Sequence, residues 1–153
     1  MAYLEVSNLS KSYGEGADRT DVLKDINLKV DEGEFIASVG FSGSGKTTLI
    51  SALAGLIEGD ARGISFKDKE IDGPGPERGL VFQSYSLMPW LSVTGNVALA
   101  VDSVHGKKSK AELNASIDIY IDMVWLTPAR DRMPAELSGG MRQRVSVARA
   151  VAM

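Results

Sequence analysis

Hydrophobic and polar positions alternate loosely over residues 2–9 and cleanly over 26–30, the period of two expected of half-buried strands. A polar, glycine-bearing stretch at 13–21 separates them, which predicts an antiparallel edge. Asp31-Glu32-Gly33 is a turn signal, and the short apolar run 34–39 behind it reads as a buried strand. Over 46–57 apolar residues occupy most of the helical circumference, the pattern of a helix packed inside a fold, with Gly59 placed to end it. Residues 63–71 predict a small hairpin, Gly73-Pro74-Gly75-Pro76 a loop or turn, and 79–82 a second buried strand running into a polar loop at Gln83.

Further along the pattern becomes helical. Ser109-Lys110-Ala111-Glu112 has the spacing of a capping box, and Leu113, Ile117, Ile121 and Val124 fall on one face behind it. Leu137-Ser138-Gly139-Gly140 interrupts the periodicity, which resumes as a helix over 141–153. No internal repeat or low-complexity tract breaks the chain into further parts.

Composition narrows the function classes. The 153 residues are 44% hydrophobic and 24% charged, with a net charge of -3; that is the make-up of one globular domain and lacks the basic excess of a nucleic-acid or anionic-membrane binder. With no cysteine, disulfides and thiolate metal ligands are excluded. The N-terminus has no basic-then-apolar signal pattern, and no apolar run reaches the roughly 18 residues of a membrane span.

The strongest chemical signal is Gly40-Phe41-Ser42-Gly43-Ser44-Gly45-Lys46-Thr47, a G-x-x-x-x-G-K-[ST] sequence between a predicted strand and a predicted helix. Glycines let the backbone curl so that several N–H groups face one phosphate group, and the following helix adds its positive end. Lys46 is suited to the β and γ phosphates of a nucleotide and the Thr47 hydroxyl to Mg²⁺, with Thr48 beside it. A flexible glycine loop with a solvated lysine would match by chance on the order of one time in a hundred or less. A second anion site is suggested by Ser138, Gly139 and Gly140 at the start of the last helix.

Leu137-Ser138-Gly139-Gly140-Met141-Arg142-Gln143-Arg144 resembles the LSGGQ signature of ABC ATPases, with Met141 at the usual glutamine. The resemblance implies an α/β fold: a P-loop NTPase of the ABC ATPase type, with an N-terminal antiparallel β subdomain, a helical subdomain near 93–137, and the final strands of the core sheet missing from this chain. It implies that Gln83, after Val81-Phe82, is the Q-loop residue contacting Mg²⁺ and water, and that Tyr13, in Lys11-Ser12-Tyr13-Gly14, stacks on adenine. ATP and Mg²⁺ are the implied ligands, with Tyr13, Gly40, Phe41, Ser42, Gly43, Ser44, Gly45, Lys46, Thr47, Thr48, Gln83, Ser138, Gly139 and Gly140 at the nucleotide.

In this family two subunits pack head to tail, so that the signature of one closes on nucleotide held by the other. The implied partners are a second ATPase subunit, transmembrane permease subunits and, indirectly, a periplasmic or lipoprotein substrate-binding protein, with nucleic acid excluded. The implied location is peripheral, on the cytoplasmic face of a bacterial inner membrane. The family's Asp-Glu strand end and switch histidine do not occur before Met153, and the only histidine, His105, is expected to be solvated in a glycine-lysine loop. This chain is therefore expected to expose apolar surface and an open sheet edge, and to bind ATP without useful turnover, while its parent hydrolyses it.

Leu87-Met88-Pro89-Trp90-Leu91-Ser92-Val93 with Asn96-Val97 is similar to a stretch in importers of nitrate, sulfonate, taurine and bicarbonate. An exposed tryptophan there suits docking, although Pro89 and Trp90 also start and pack a helix. Gly73-Pro74-Gly75-Pro76-Glu77-Arg78-Gly79 and residues 99–104 look most like the nitrate branch. Two rival classes share some of these features. An ABC ATPase of DNA repair or translation would carry long coiled-coil or basic insertions between the motifs, and a non-catalytic nucleotide-binding module would need only the residues present.

Overall fold

A computed structural model describes residues 2–60, 63–105 and 109–153, the side chain of His105 excepted. Two compact units, Met1–Gly75 and Pro76–Met153, each have their own core.

In the first unit β1 (Leu4–Tyr13), β2 (Thr20–Val30), β3 (Ile64–Phe66) and β4 (Lys69–Glu70) form one antiparallel sheet in the order β2-β1-β3-β4. The predicted edge and the predicted 63–71 hairpin are both present, although β1 and β2 extend further toward each other than the alternation indicates. Register explains why the alternation is loose. Val6 faces Leu28 but Leu9 faces Ile26, so the ladder slips between them, and Asn8 and Asp25 take left-handed φ values of 53° and 48° nearby. The Asn8 N–H is met by Asn27 Oδ1 at 2.9 Å and the Asp25 N–H by Ser10 Oγ at 3.1 Å. Such a bulge puts residues three apart on one face, and Val6 and Leu9 are both buried in the same core with Leu23, Ala52 and Ile64.

Helix α1 (Lys46–Leu53) lies against this core through Ala52 and is shorter than the predicted 46–57. Its end is set by Gly55, not Gly59. The Gly55 N–H reaches Ala52 O at 3.0 Å and the Leu56 N–H reaches Ser51 O at 2.9 Å, a glycine-terminated helix stop that satisfies two last-turn carbonyls. Gly55 has φ 75°, and a Cβ there would meet Gly73 O at 2.2 Å, so no other residue fits.

Two strand expectations fail. Residues 34–39 and 79–82 are irregular; Phe35 and Val39 stand 90% and 91% exposed and Phe82 is exposed as well. An apolar run becomes a strand only where a neighbour takes up its N–H and C=O groups, and no described strand pairs with either run. The described residues thus hold the antiparallel subdomain and no parallel core sheet, and the expected apolar surface is present.

The second unit is helical, with α2 (Val93–His105), α3 (Lys110–Met123) and α4 (Gly139–Val151) around Val97, Val101, Ile121, Leu126 and Val145. Burying each such side chain stabilises by about 1.5–3 kcal/mol. The Ser109–Glu112 capping box is formed in both directions. Ile117 and Ile121 are buried and Leu113 and Val124 pack at the edge of the same core, as the periodicity predicts. His105 is the last residue of α2 rather than part of a loop; its side chain and residues 106–108 lie outside the described residues. Trp125 ends α3 at φ 54°, where glycine is usual, and Arg144 Nη1 donates to the carbonyls of Val124 and Trp125 at 3.0 and 3.4 Å.

Candidate functional site

The first unit holds the glycine loop. Gly43 and Gly45 have φ values of 78° and 85°, and Gly45 is the residue from which α1 starts. A Cβ on Gly45 would meet Val22 O at 2.8 Å and Leu23 Cδ2 at 3.1 Å, so glycine lets the loop close down on β2. Because Gly45 has no side chain to cap the helix, the N–H groups of the first turn, including those of Thr47 and Thr48, have no partner within α1. Lys46 folds back over the loop: Nζ donates to Gly40 O and Phe41 O at 2.7 Å each and to Ser44 Oγ at 3.2 Å.

All three partners of Lys46 are neutral oxygens, and among the described residues no carboxylate pairs with it. An ammonium without a counter-charge, beside free N–H groups at a helix start, can hold a polyphosphate by exchanging weak carbonyl contacts for charge-assisted ones. The chain's residues therefore fit such an anion. Magnesium has less protein to hold it. Thr47, exposed at the helix start, offers one neutral hydroxyl, and no described group of three His, Cys, Asp or Glu could hold a metal ion. A Mg²⁺ here would be held largely by phosphate oxygens, the usual manner for this ion.

Tyr13 ends β1 opposite Thr20. The β2 segment that touches Gly45 begins two residues beyond Thr20, so the sheet brings Tyr13 to the same end as the loop. Tyr13 is 47% exposed, with Lys11 Nζ 5.5 Å from its ring centroid. Gly14 turns the chain away at φ 80°, where a Cβ would collide with Asp18 O.

The second unit holds Gln83 and the signature residues. Gln83 lies in a turn closed by the Tyr85 N–H on Phe82 O at 3.0 Å, not at a strand end. Tyr85 and Ser86 follow at φ 64° and 50°, two successive non-glycine residues in the left-handed region. The segment is fastened to α4: Arg142 lies over the Tyr85 ring, Arg149 Nη1 donates to Ser86 O, and a Cβ on Gly79 would strike Ala150 O. Ser138 caps α4, its Oγ accepting the Met141 N–H at 3.3 Å. Gly140 faces open space and Gly139 approaches the Tyr85 hydroxyl. Leu137 is buried and Met141 packs on the core, which gives the departure from glutamine an apolar role.

Sequence reasoning missed the role of Asn96. It is fully buried, accepts the Met88 N–H at 2.9 Å, and donates to the carbonyls of Met88, Leu91 and Ser92 at 3.2, 2.9 and 3.0 Å. Asn96 thereby fixes the loop that displays Trp90, which is 70% exposed. A buried asparagine inside an apolar helical pattern was the available signal. Among the described residues no helix is long and apolar enough to cross a membrane.

The bicarbonate transport ATP-binding protein CmpD of Synechocystis sp. is 44% identical over 152 residues, which are 99% of this chain and 54% of that protein. The nitrate import ATP-binding protein NrtC of Synechococcus elongatus is 45% identical over 138 residues, 90% of this chain and 21% of that one. The chain thus spans about half, or less, of the relatives it matches. A dimeric structure of the ATP-binding cassette MJ0796 in a post-hydrolysis state bound to ADP and Pi superposes with a TM-score of 0.87 at 29% identity, over 97% of this chain and 69% of that one. The family model described as ABC transporter matches residues 23–153, and the chain belongs to that family.

Proposed function

We propose that this chain is the nucleotide-binding part of an ABC importer ATPase that energises uptake of a small oxyanion, nitrate or bicarbonate. The observation that carries the ATPase reading is the Lys46 ammonium, uncompensated by any described carboxylate and folded over a glycine loop at the start of α1. On this reading Lys46 leaves Gly40 and Phe41 for the β and γ phosphates, and the N–H groups around Ser42, Gly43, Ser44 and Gly45 hold the same oxygens. Thr47 supplies a hydroxyl to a Mg²⁺ that arrives with ATP, and Tyr13 carries the adenine. Ser138, Gly139 and Gly140 serve the nucleotide of a second ATPase subunit, a role supported by the dimeric ATP-binding cassette of similar fold.

Transmembrane permease subunits are the proposed docking partners, with Trp90 at the contact, a substrate-binding protein acts indirectly, and the assembly sits at the cytoplasmic face of the inner membrane. Relatives named for bicarbonate transport and for nitrate import stand at nearly equal identity, so the cargo is proposed as this pair and not as nitrate alone.

Binding of a fluorescent ATP analogue to the chain and to Lys46→Ala tests the first part; the variant should bind at least about tenfold more weakly. Equal binding by both would sink the phosphate-loop reading. Uptake of labelled nitrate and of labelled bicarbonate by cells lacking the protein names the cargo, and loss of neither would remove both anions from the proposal.

A further inference from the structure

Asp60 lies far from Tyr13 in sequence, yet its hydrogen bonds run to the strand end that carries that ring. Its Oδ2 accepts the Ser12 N–H at 2.8 Å and the Ser12 hydroxyl. Its Oδ1 stands 3.4 Å from Lys11 Nζ, and Arg19 Nη2 stands 3.7 Å from Oδ2 across the β1–β2 turn. Asp60 is itself anchored, because its own N–H donates to Ser10 O at 2.8 Å. Residues 10, 11 and 12 of β1 and residue 19 beyond the turn are thus tied to one carboxylate.

The cation held by that carboxylate is also the one over the ring. Lys11 Nζ lies 5.5 Å from the Tyr13 centroid, so a single ammonium joins Asp60 to one face of the aromatic ring, within the range of a cation–π contact. An exposed tyrosine at a strand end otherwise samples more than one χ1 rotamer and would lose that choice on stacking, a cost that prior positioning reduces. We propose that Asp60 is a positioning residue for nucleotide: through Ser12 and Lys11 it holds the Tyr13 ring in the orientation that receives the base. This inference rests on Tyr13 carrying adenine, as argued above. The Ser12 hydroxyl holds the Asp60 carboxyl below the ordinary carboxylate range, so the group is charged at neutral pH.

Affinities for ATP and for inorganic tripolyphosphate, which has the phosphates without the base, separate positioning from general damage. Asp60→Ala should weaken ATP binding by about three- to tenfold and leave tripolyphosphate unchanged. Asp60→Asn, whose amide oxygen still accepts the Ser12 N–H, should recover part of the loss. In a Tyr13→Ala background Asp60→Ala should have no further effect. If Tyr13→Ala alone binds ATP normally, the adenine reading fails and takes the inference with it. If Tyr13→Ala weakens ATP binding but neither Asp60 variant does, the inference alone fails. Equal losses for ATP and tripolyphosphate in Asp60→Asn would likewise overturn it, because the residue would then be supporting the loop as a whole.

Discussion

The guanidinium of Arg142 stands 5.7 Å over the ring of Tyr85, joining the signature helix to the turn that carries Gln83. Arg142 Nε is buried without a hydrogen-bond partner, so the ring face is a favourable contact for that side of the guanidinium. Tyr85→Ala should therefore destabilise the chain by about 1–2 kcal/mol. Ser86 sits at φ 50° with no glycine, and Ser86→Gly should stabilise by about 0.5–1 kcal/mol. Urea unfolding midpoints of the two variants check both signs; a stabilised Tyr85→Ala would show the stacking to be incidental.

Asn96→Leu keeps the volume of the buried side chain but removes four hydrogen bonds to the 88–92 loop. The orphaned Met88 N–H and the carbonyls should cost about 2–4 kcal/mol. Trp90, already exposed, should become more accessible to acrylamide quenching as its loop loosens. Unchanged quenching together with an unchanged melting temperature would contradict the clamp.

Gly43 and Gly45 share a left-handed backbone but differ in surroundings. A Cβ on Gly43 meets nothing within 4 Å, whereas one on Gly45 meets a backbone carbonyl at 2.8 Å. Gly43→Ala should cost about 1 kcal/mol from conformation alone, and Gly45→Ala about 2–3 kcal/mol because β2 must also give way. Thermal unfolding of the pair decides it, and equal costs would mean that the loop does not rest on β2.

Asp60 is held below its ordinary value of 3.8 by Ser12, while Lys29 is held above 10.5 by its hydrogen bond to Glu5. A carboxylate depressed on folding contributes stability that is complete above its unfolded pKa and is lost as pH falls through the lower folded one. The raised lysine contributes fully below 10.5 and loses its contribution as pH rises through the higher folded value. Neither group should create a slope between about pH 5 and 9. The acid edge should shrink in Asp60→Asn, measured by urea titration at a series of pH values, and an identical edge in the variant would exclude Asp60 as its source.

What the sequence determined by itself was local or was chemistry written in contiguous residues. The glycine loop and the Ser138 cap lie within eight residues each, so spacing alone specifies which N–H and hydroxyl groups can converge. The Ser109–Glu112 box and the Ile117–Ile121 face follow from one turn of helix. Tertiary structure alone decided what depends on a distant partner. Residues 34–39 and 79–82 are apolar enough for strands but have no described ladder to join. Position 55, where α1 is terminated, accepts only glycine because the Gly73 carbonyl lies where a Cβ would be. Val6 and Leu9 share a core because the ladder slips against β2. Asp60 meets Ser12 across 48 residues, and Arg142 meets Tyr85 from another element. No periodicity encodes such meetings, because a hydrogen bond or a steric limit between remote residues exists only once packing has brought them together.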